Sequence, residues 1–535
     1  MALEGQSQYS IDADWSNLYI GGEWVDAEGG ETVAVEDPST RQPVAQAPRG
    51  TEADVDAAYE AAQAAHSEWA STPPAAREEL IQALQRAIAE HESEILELYT
   101  AEAGAIHGVS ETGVELTQDQ VAEAATLPRR MKGEHAASNI PGKEHIVERE
   151  PQGVVTVISP WNFPFNLSAR AVVPAVAAGN TVVLKPASDT PIVGGLLFAR
   201  LFEEAGFPDG VLNVVTGPGS EIGDRVASHP ASDVVSFTGS TEVGRHVAKL
   251  AGENLAVPAM ELGGNNAHIV TDDADLGAAV DAGVFGSFIH QGQVCISINR
   301  HIVHEDVYDE YVAQLTERAA NLPAGSAHSQ VAVGPIINED QRDQMLEFVE
   351  RTVDAGATLE TGGGVVDVDG VDDSLVVEPT VLSGVTNEMA AACNEHFGPI
   401  APVIPVSDVD EAVAVANDTE YGLSGSVHAG DVGAGRRIAQ RMDTGMVHVN
   451  DQPVNDEAHV PFSGTNASGV GGYNTTDFLD EVTEKKWNSR TTAPASSSTT
   501  SAARSTGRAA TRLSRNRLPK RSAIRGAPRP PTTAT

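Results

Sequence analysis

Cysteine is nearly missing from this chain, with two in 535 residues. That leaves little room for a disulfide framework. Lysine is also scarce, seven against 27 arginines, while Asp and Glu total 76 and the net charge is −42. So acidic a surface argues against nucleic acid or an anionic membrane as a partner. The acids are dispersed among 41% hydrophobic residues, which sets aside a disordered acidic chain. A solvated shell suited to high salt, as in a halophile protein, fits better. No apolar run approaches the ~18 residues that a membrane helix needs. The first ten residues have neither a basic start nor an apolar core, so no signal peptide is expected and the cytoplasm follows by default. Aromatics make up only 5%, and the abundance of Ala, Val and Gly suggests small-residue packing in an α/β fold. The length predicts two to four domains.

Along the chain, residues 15–50 read as short strands and turns. Thr51 can cap a helix running to about Ala70, and Leu80, Leu84, Ile88, Ile95 and Leu98 predict a helix from Pro74 to about Thr100. From Gly153 the period changes. Apolar runs at 154–158, 181–184, 211–215 and 234–237 alternate with helical patterns at 193–205, 221–228 and 242–251. Such alternation implies a parallel sheet covered on both faces. A second α/β region spans Ala267 to about Val449. Residues 491–535 hold nine basic and no acidic residues, so residues 1–490 carry −51. This tail reads as disordered, either a basic arm or an end without a role.

Cys295 closes the segment His290-Gln-Gly-Gln-Val-Cys295, 34 residues after Glu261, which a Gly263-Gly264 pair follows. A thiol and a carboxylate on two turns suit covalent catalysis. A buried structural Cys beside a helix-capping Glu is the plainer alternative. Cys393 reads as a small buried hydrophobe. His290 is a conceivable base, although packing or turn bonding explains it as well. Ser159-Pro-Trp161-Asn162-Phe-Pro164 follows a predicted strand; an amide there can donate to a developing oxyanion or merely satisfy its own turn. Lys185 ends a buried strand before Ser188, where ligands of parallel sheets bind, or else it is a solvated strand end. Gly239-Ser240 opens a helix whose amides can hold phosphate; Gly217-Pro-Gly219 is a weaker glycine turn, and GxGxxG is absent. Glu395 and Phe397 sit at a Gly-Pro turn that can hold a ribose or a flat ring, or close on a core Phe.

Taken in order, Pro160-Trp-Asn-Phe-Pro164, Lys185-Pro, Phe237-Thr-Gly-Ser-Thr241, Glu261-Leu-Gly-Gly264, Gly292-Gln-x-Cys295, Glu395-x-Phe-Gly-Pro399 and Pro461-Phe462 resemble the aldehyde dehydrogenase superfamily over roughly residues 15–490. The resemblance implies an α/β fold: a modified Rossmann domain for NAD or NADP (1–132 and 153–261), a second α/β catalytic domain (262–460), and a small β oligomerisation segment (133–152 and 461–490). It also implies a small-molecule aldehyde substrate, a homodimer or homotetramer, and no metal. By the same resemblance Cys295 is the nucleophile, Glu261 the general base, and Asn162 with the Cys295 N–H the oxyanion hole. Lys185 and Ser188 face the adenosine ribose, Gly239 and Ser240 the pyrophosphate, and Glu395 the nicotinamide ribose. Ser159, Trp161, Gly219, Leu262 and Phe397 complete the cofactor contacts. Ser188 stands where NAD-preferring members often carry Glu, which opens the way to NADP. Ser463 replaces a commoner Gly. His290–Cys295 and Asn450–Asp456 look like the benzaldehyde and vanillin dehydrogenase branch. A coenzyme A-acylating member and a catalytically silent one are the rival readings; retention of Glu261 argues against the first, and of Cys295, Glu261 and Asn162 together against the second.

Overall fold

The computed structural model describes residues 14–491. The start of the chain and the tail beyond Thr491 lie outside the described residues. Thr491 itself, grouped with the tail by composition, ends the strand Thr483–Thr491.

The first sheet carries five parallel strands in the order 257–261, 234–238, 154–158, 181–185 and 212–214. Val154–Ile158 is thus the first strand in sequence and the middle one in space. Strand order reverses between it and Val234–Thr238, and an open α/β sheet binds its ligand in the crevice at such a switch point. Short antiparallel strands close the edges, Gly469–Val470 beside Val257–Glu261 and Leu18–Ile20 beside Leu212–Val214. Runs such as Val182–Leu184 are wholly buried, as a sheet covered on both faces requires.

Local chemistry explains several boundaries. Thr51 caps Glu52–Ser71 through a reciprocal pair with Asp54. Gly179, at φ +100°, ends Pro164–Ala178 in the left-handed conformation that glycine tolerates. The helix expected over 74–100 is two helices, Pro74–Glu90 and Glu92–Ala103. His91 between them leaves helical geometry and bonds Glu94 and Glu204, both at 2.9 Å. The apolar spacing runs through that break and conceals it.

The second sheet is parallel through 380–383, 400–406, 298–304, 266–270, 425–428 and 448–449. The segment after Glu261 passes directly from the first sheet into Asn266–Val270 of the second. Strand ends of the first sheet therefore meet strand starts of the second. A separate three-stranded antiparallel sheet pairs Lys143–Pro151 with both Glu134–Ala137 and Thr483–Thr491. Among the described residues, no helix is long and apolar enough to cross a membrane.

Candidate active site

The turn Ser159–Phe163 leaves the central strand, and Pro164 takes the first helical position, where a missing N–H costs nothing. Ser159 is held on both sides: its N–H donates to the Lys185 carbonyl at 3.2 Å and its Oγ accepts from Ser168 at 2.7 Å. Asn162 is 4% exposed, and its Nδ2 donates to the Gln293 carbonyl at 2.9 Å. Trp161 meets Phe397 edge to face, ring centroids 5.4 Å apart.

The thiol turn is strained. His290, Gln291 and Gly292 lie at φ +48°, +57° and +73°. For the two non-glycine residues this costs about 1–3 kcal/mol each, and surrounding contacts must over-determine it. Gly292 has no alternative, because a Cβ there would stand 2.1 Å from the Gly398 carbonyl oxygen. Gln291 Nε2 donates to the Pro335 carbonyl at 2.8 Å, and Gln293 Oε1 accepts from the Ile337 N–H at 3.0 Å. Asn266 Nδ2 donates to the Cys295 carbonyl at 2.8 Å. Burial pushes the Cys295 thiol up to about 12, with the Glu395 and Glu261 carboxyls adding to the rise.

Glu261 is the last residue of its strand and caps no helix. It is 4% exposed, and among the described residues neither carboxyl oxygen has a hydrogen-bond partner. Burial raises its pKa to about 8, against the opposing pull of the Arg170 guanidinium. The Glu395 carboxylate accepts from the Gly264 N–H at 2.9 Å, and a Cβ on Gly263 would lie 2.0 Å from its other oxygen. Burial likewise raises Glu395 to about 7. Lys185 is buried, drops to about 8 for the same reason, and donates to its neighbour's carbonyl, Pro186 O, at 3.0 Å.

Two cavities meet at Cys295. A cleft of about 490 Å³ brings together Trp161, Asn162, Gly239, Ser240, Glu261, Leu262, Cys295, Glu395 and Phe397. Lys185, Ser188, Ser159 and Gly219 do not line it. Ser188 is exposed beside a separate cavity and donates to the Gly217 carbonyl at 3.3 Å, which ties the Lys185–Ser188 segment to the glycine turn before helix Gly219–Ala227. A second cavity of about 170 Å³, an apolar tunnel, also reaches Cys295 and is lined by Val109, Leu116, Phe163, Phe285, Val454 and Phe462.

Sequence reasoning missed most of the tunnel, and also Arg170, which lines both cavities. Arg170 stacks over the Phe462 ring at 3.8 Å, and its Nη1 lies 3.6 Å from the Asp456 carboxylate. An arginine, the one charged residue of a wholly buried helix, is the signal that could have found it. Cys393 corrects an expectation: it is exposed, not buried. Ala390–Ala392 fill the buried side of its four-residue helix and leave Cys393 at the outer end, where Asn394 Nδ2 donates to its Sγ at 3.2 Å. Ser463 stays outside the left-handed region, so it takes its glycine-like position without that strain.

The cleft has the donors that a dinucleotide needs. Gly239, Ser240 and Thr241 line it at the amino terminus of the 13-residue helix Thr241–Glu253, whose free amides suit a pyrophosphate. A Cβ on Gly239 would stand 2.5 Å from the Phe237 ring, so only glycine keeps that approach open. The side-chain-free edge at Gly263 leaves room for the Glu395 carboxylate at the inner end. Fold and cleft together define a dinucleotide-dependent oxidoreductase. Residues 24–488 match the aldehyde dehydrogenase family model, and the chain belongs to that family. It is an NAD(P)-dependent enzyme that oxidises an aldehyde to the carboxylic acid. Vanillin dehydrogenase of Corynebacterium glutamicum is 43% identical over 89% of this chain and 97% of its own length. The NAD(+) benzaldehyde dehydrogenase of Pseudomonas putida is 41% identical, covering 90% and 97%. Among solved structures, betaine aldehyde dehydrogenase of Staphylococcus aureus in complex with NAD+ aligns at TM-score 0.87 and 33% identity, covering 90% of this chain and 95% of that one.

Proposed function

We propose that the chain oxidises an aromatic aldehyde through a thioester on Cys295. The observation that carries this reading is the position of Cys295, which lines both the polar cleft and an apolar tunnel walled in part by Phe163, Phe285 and Phe462. Rings of these types accept a flat apolar partner in stacked or edge-on geometry. The likeness to vanillin and benzaldehyde dehydrogenases supports the same substrate class.

In this mechanism the Cys295 thiol gives its proton to solvent and the sulfur attacks the aldehyde carbon, whose carbonyl π pair moves to the oxygen. The Asn162 amide and the Cys295 backbone N–H donate to the oxygen as it gains charge; one such donor is typically worth ~10²–10³ in rate. Lys185 and Ser188 hold the adenosine ribose, Gly239 and Ser240 the pyrophosphate, and Glu395 the nicotinamide ribose. Ser159, Trp161, Gly219, Leu262 and Phe397 complete the cofactor-facing set. The bound dinucleotide supplies a hydride acceptor. Glu261 then takes a proton from water, which attacks the thioester and frees the acid and the thiol. Its raised pKa places its proton exchange close to neutrality, where a base is most effective. Burial raises the thiol pKa, so attack requires that the sulfur give up its proton.

Further parts of the reading rest on the same family membership. The Rossmann-type domain comprises 1–132 and 153–261, the catalytic domain 262–460, and the oligomerisation segment 133–152 and 461–490. Among the described residues no strand pairs with the outer edge of Thr483–Thr491, and Trp487 is exposed along it, which supports pairing with a second copy in a dimer or tetramer. The charge of −42 supports a cytoplasmic, salt-adapted enzyme with no nucleic-acid or membrane partner. Cofactor reduction at 340 nm, in high salt, with benzaldehyde, vanillin and a short aliphatic aldehyde against NAD and NADP tests the central reading. Preferred turnover of the aromatic aldehydes supports it; turnover of the aliphatic alone overturns the substrate class. Stimulation only by coenzyme A would replace hydrolysis with acylation.

A further inference from the structure

His290 is fully buried, yet it lines neither cavity at Cys295. Its Nε2 lies 2.7 Å from the Asn162 carbonyl oxygen, which fixes the tautomer: Nε2 carries the proton and donates. Nδ1 is buried and has no partner among the described residues. The ring meets Phe163 edge to face at 5.1 Å, and burial keeps it neutral, its pKa near about 4. A base for the thiol would need a free ring nitrogen directed at Cys295, and no hydrogen bond joins them. The return contact runs the other way: Asn162 Nδ2 donates to the Gln293 carbonyl at 2.9 Å, and the Gln293 N–H donates to the His290 carbonyl at 3.0 Å. Side chain to backbone in both directions, the bonds close a ring between two turns that come from different sheets.

We propose that His290 is a positioning residue that locks the Asn162 turn to the Cys295 turn, so that the amide and the sulfur keep one fixed separation. The inference rests on the reading of Asn162 as an oxyanion donor. Its energetic logic is preorganisation: a donor held before charge develops needs no rearrangement during the reaction. The strained backbone at residues 290–292 serves the same end, since its left-handed path directs the His290 ring back toward Asn162.

His290→Phe keeps a ring against Phe163 and removes the N–H. His290→Gln places an amide nitrogen the same number of bonds from the backbone as Nε2. We expect His290→Phe to lower kcat by about 10²-fold, the cost of ~1 Å of misplacement, with aldehyde KM and cofactor Kd unchanged. His290→Gln should recover most of the loss. In an Asn162→Ala background, His290→Phe should cost little more, because the amide that His290 positions is already gone. Should His290→Phe fail to fold, as judged by thermal unfolding and cofactor binding, His290→Leu takes its place. Unchanged kcat, a loss confined to KM or Kd, or a Gln variant no better than Phe overturns the proposal. Full additivity with Asn162→Ala also overturns it. An Asn162→Ala enzyme with undiminished kcat, by contrast, strikes the oxyanion reading itself.

Discussion

The two cavities that share Cys295 are built in opposite ways. The cleft is made of backbone: turns at strand ends, a helix terminus, and glycines where a Cβ would collide, as at Gly239 and Gly263. The tunnel is made of side chains borrowed from distant segments, including Val109, Phe285 and Val454. Backbone constructions fix geometry for a ligand that does not vary. Side-chain walls can be exchanged without disturbing the fold, which lets one family serve many aldehydes. Substitutions should therefore separate cleanly, with cleft changes altering cofactor use or chemistry and tunnel changes altering aldehyde choice.

The sharpest test falls where the cavities join. Cys295→Ala should lower oxidation of every aldehyde by on the order of 10⁴-fold or more, while NAD or NADP still quenches tryptophan fluorescence with its original Kd. Appreciable turnover in that variant removes the covalent mechanism. Glu261→Gln should follow, with steady-state turnover down about 10²–10⁴-fold and a burst of reduced cofactor retained, because only release of the acid is blocked. The raised Glu261 pKa gives the sign with pH. The base form grows as pH rises through about 8, so the wild-type kcat should climb there, and this limb should be absent in Glu261→Gln. Stability runs the other way. The folded state holds the proton that the unfolded chain releases in the ordinary carboxylate range, so stability falls as pH rises toward about 8. Chemical denaturation across that range should show a slope that the Gln variant loses.

Outside the cleft, beside the separate cavity, Ser188→Glu should penalise NADP against NAD by about 10–10²-fold in kcat/KM, as a carboxylate would beside a 2′-phosphate. Ser188 is exposed, so added salt should shrink the discrimination. An equal effect on both cofactors would remove Ser188 from the ribose site.

The same contrast explains what the sequence made legible. Strands 154–158, 181–185 and 234–238 and the turns after them were readable because a buried parallel strand, a Pro-bounded turn and a Gly-Ser helix start each impose local residue types. The motif order named Trp161, Asn162, Gly239, Ser240, Glu261, Leu262, Cys295, Glu395 and Phe397 of the cleft lining, and left out Leu167, Arg170, Gln341, Gln344, Phe348 and Tyr421. Nothing local marks Val109 or Phe285 as neighbours of a thiol, since each sits on a helix whose pattern reports only its own packing. Cys393 misled for a related reason: its composition context is apolar, while its exposure depends on which end of a four-residue helix it occupies. His290 was visible as an unusual residue, but its partner lies 128 positions away and only the fold joins them.

The smallest expected effect belongs to the tunnel mouth. Phe285 lies on helix Leu276–Phe288 and is 45% exposed, so it contributes one face of a wall and not a closed pocket. Removing part of an apolar specificity wall is worth ~1–3 kcal/mol when the contact is complete, and half-exposure places Phe285→Ala at the lower end. Benzaldehyde should lose about tenfold in kcat/KM, mostly through KM. A short aliphatic aldehyde, too small to reach the ring, should lose little, and cofactor Kd should stay fixed. The competing possibility is that Phe285 acts only as a lid against water. Both aldehydes would then lose kcat together, with no preference for either substrate. Measuring kcat/KM for the two aldehydes side by side distinguishes these outcomes, and a parallel loss would mean that the tunnel walls shield the thiol without selecting the ring.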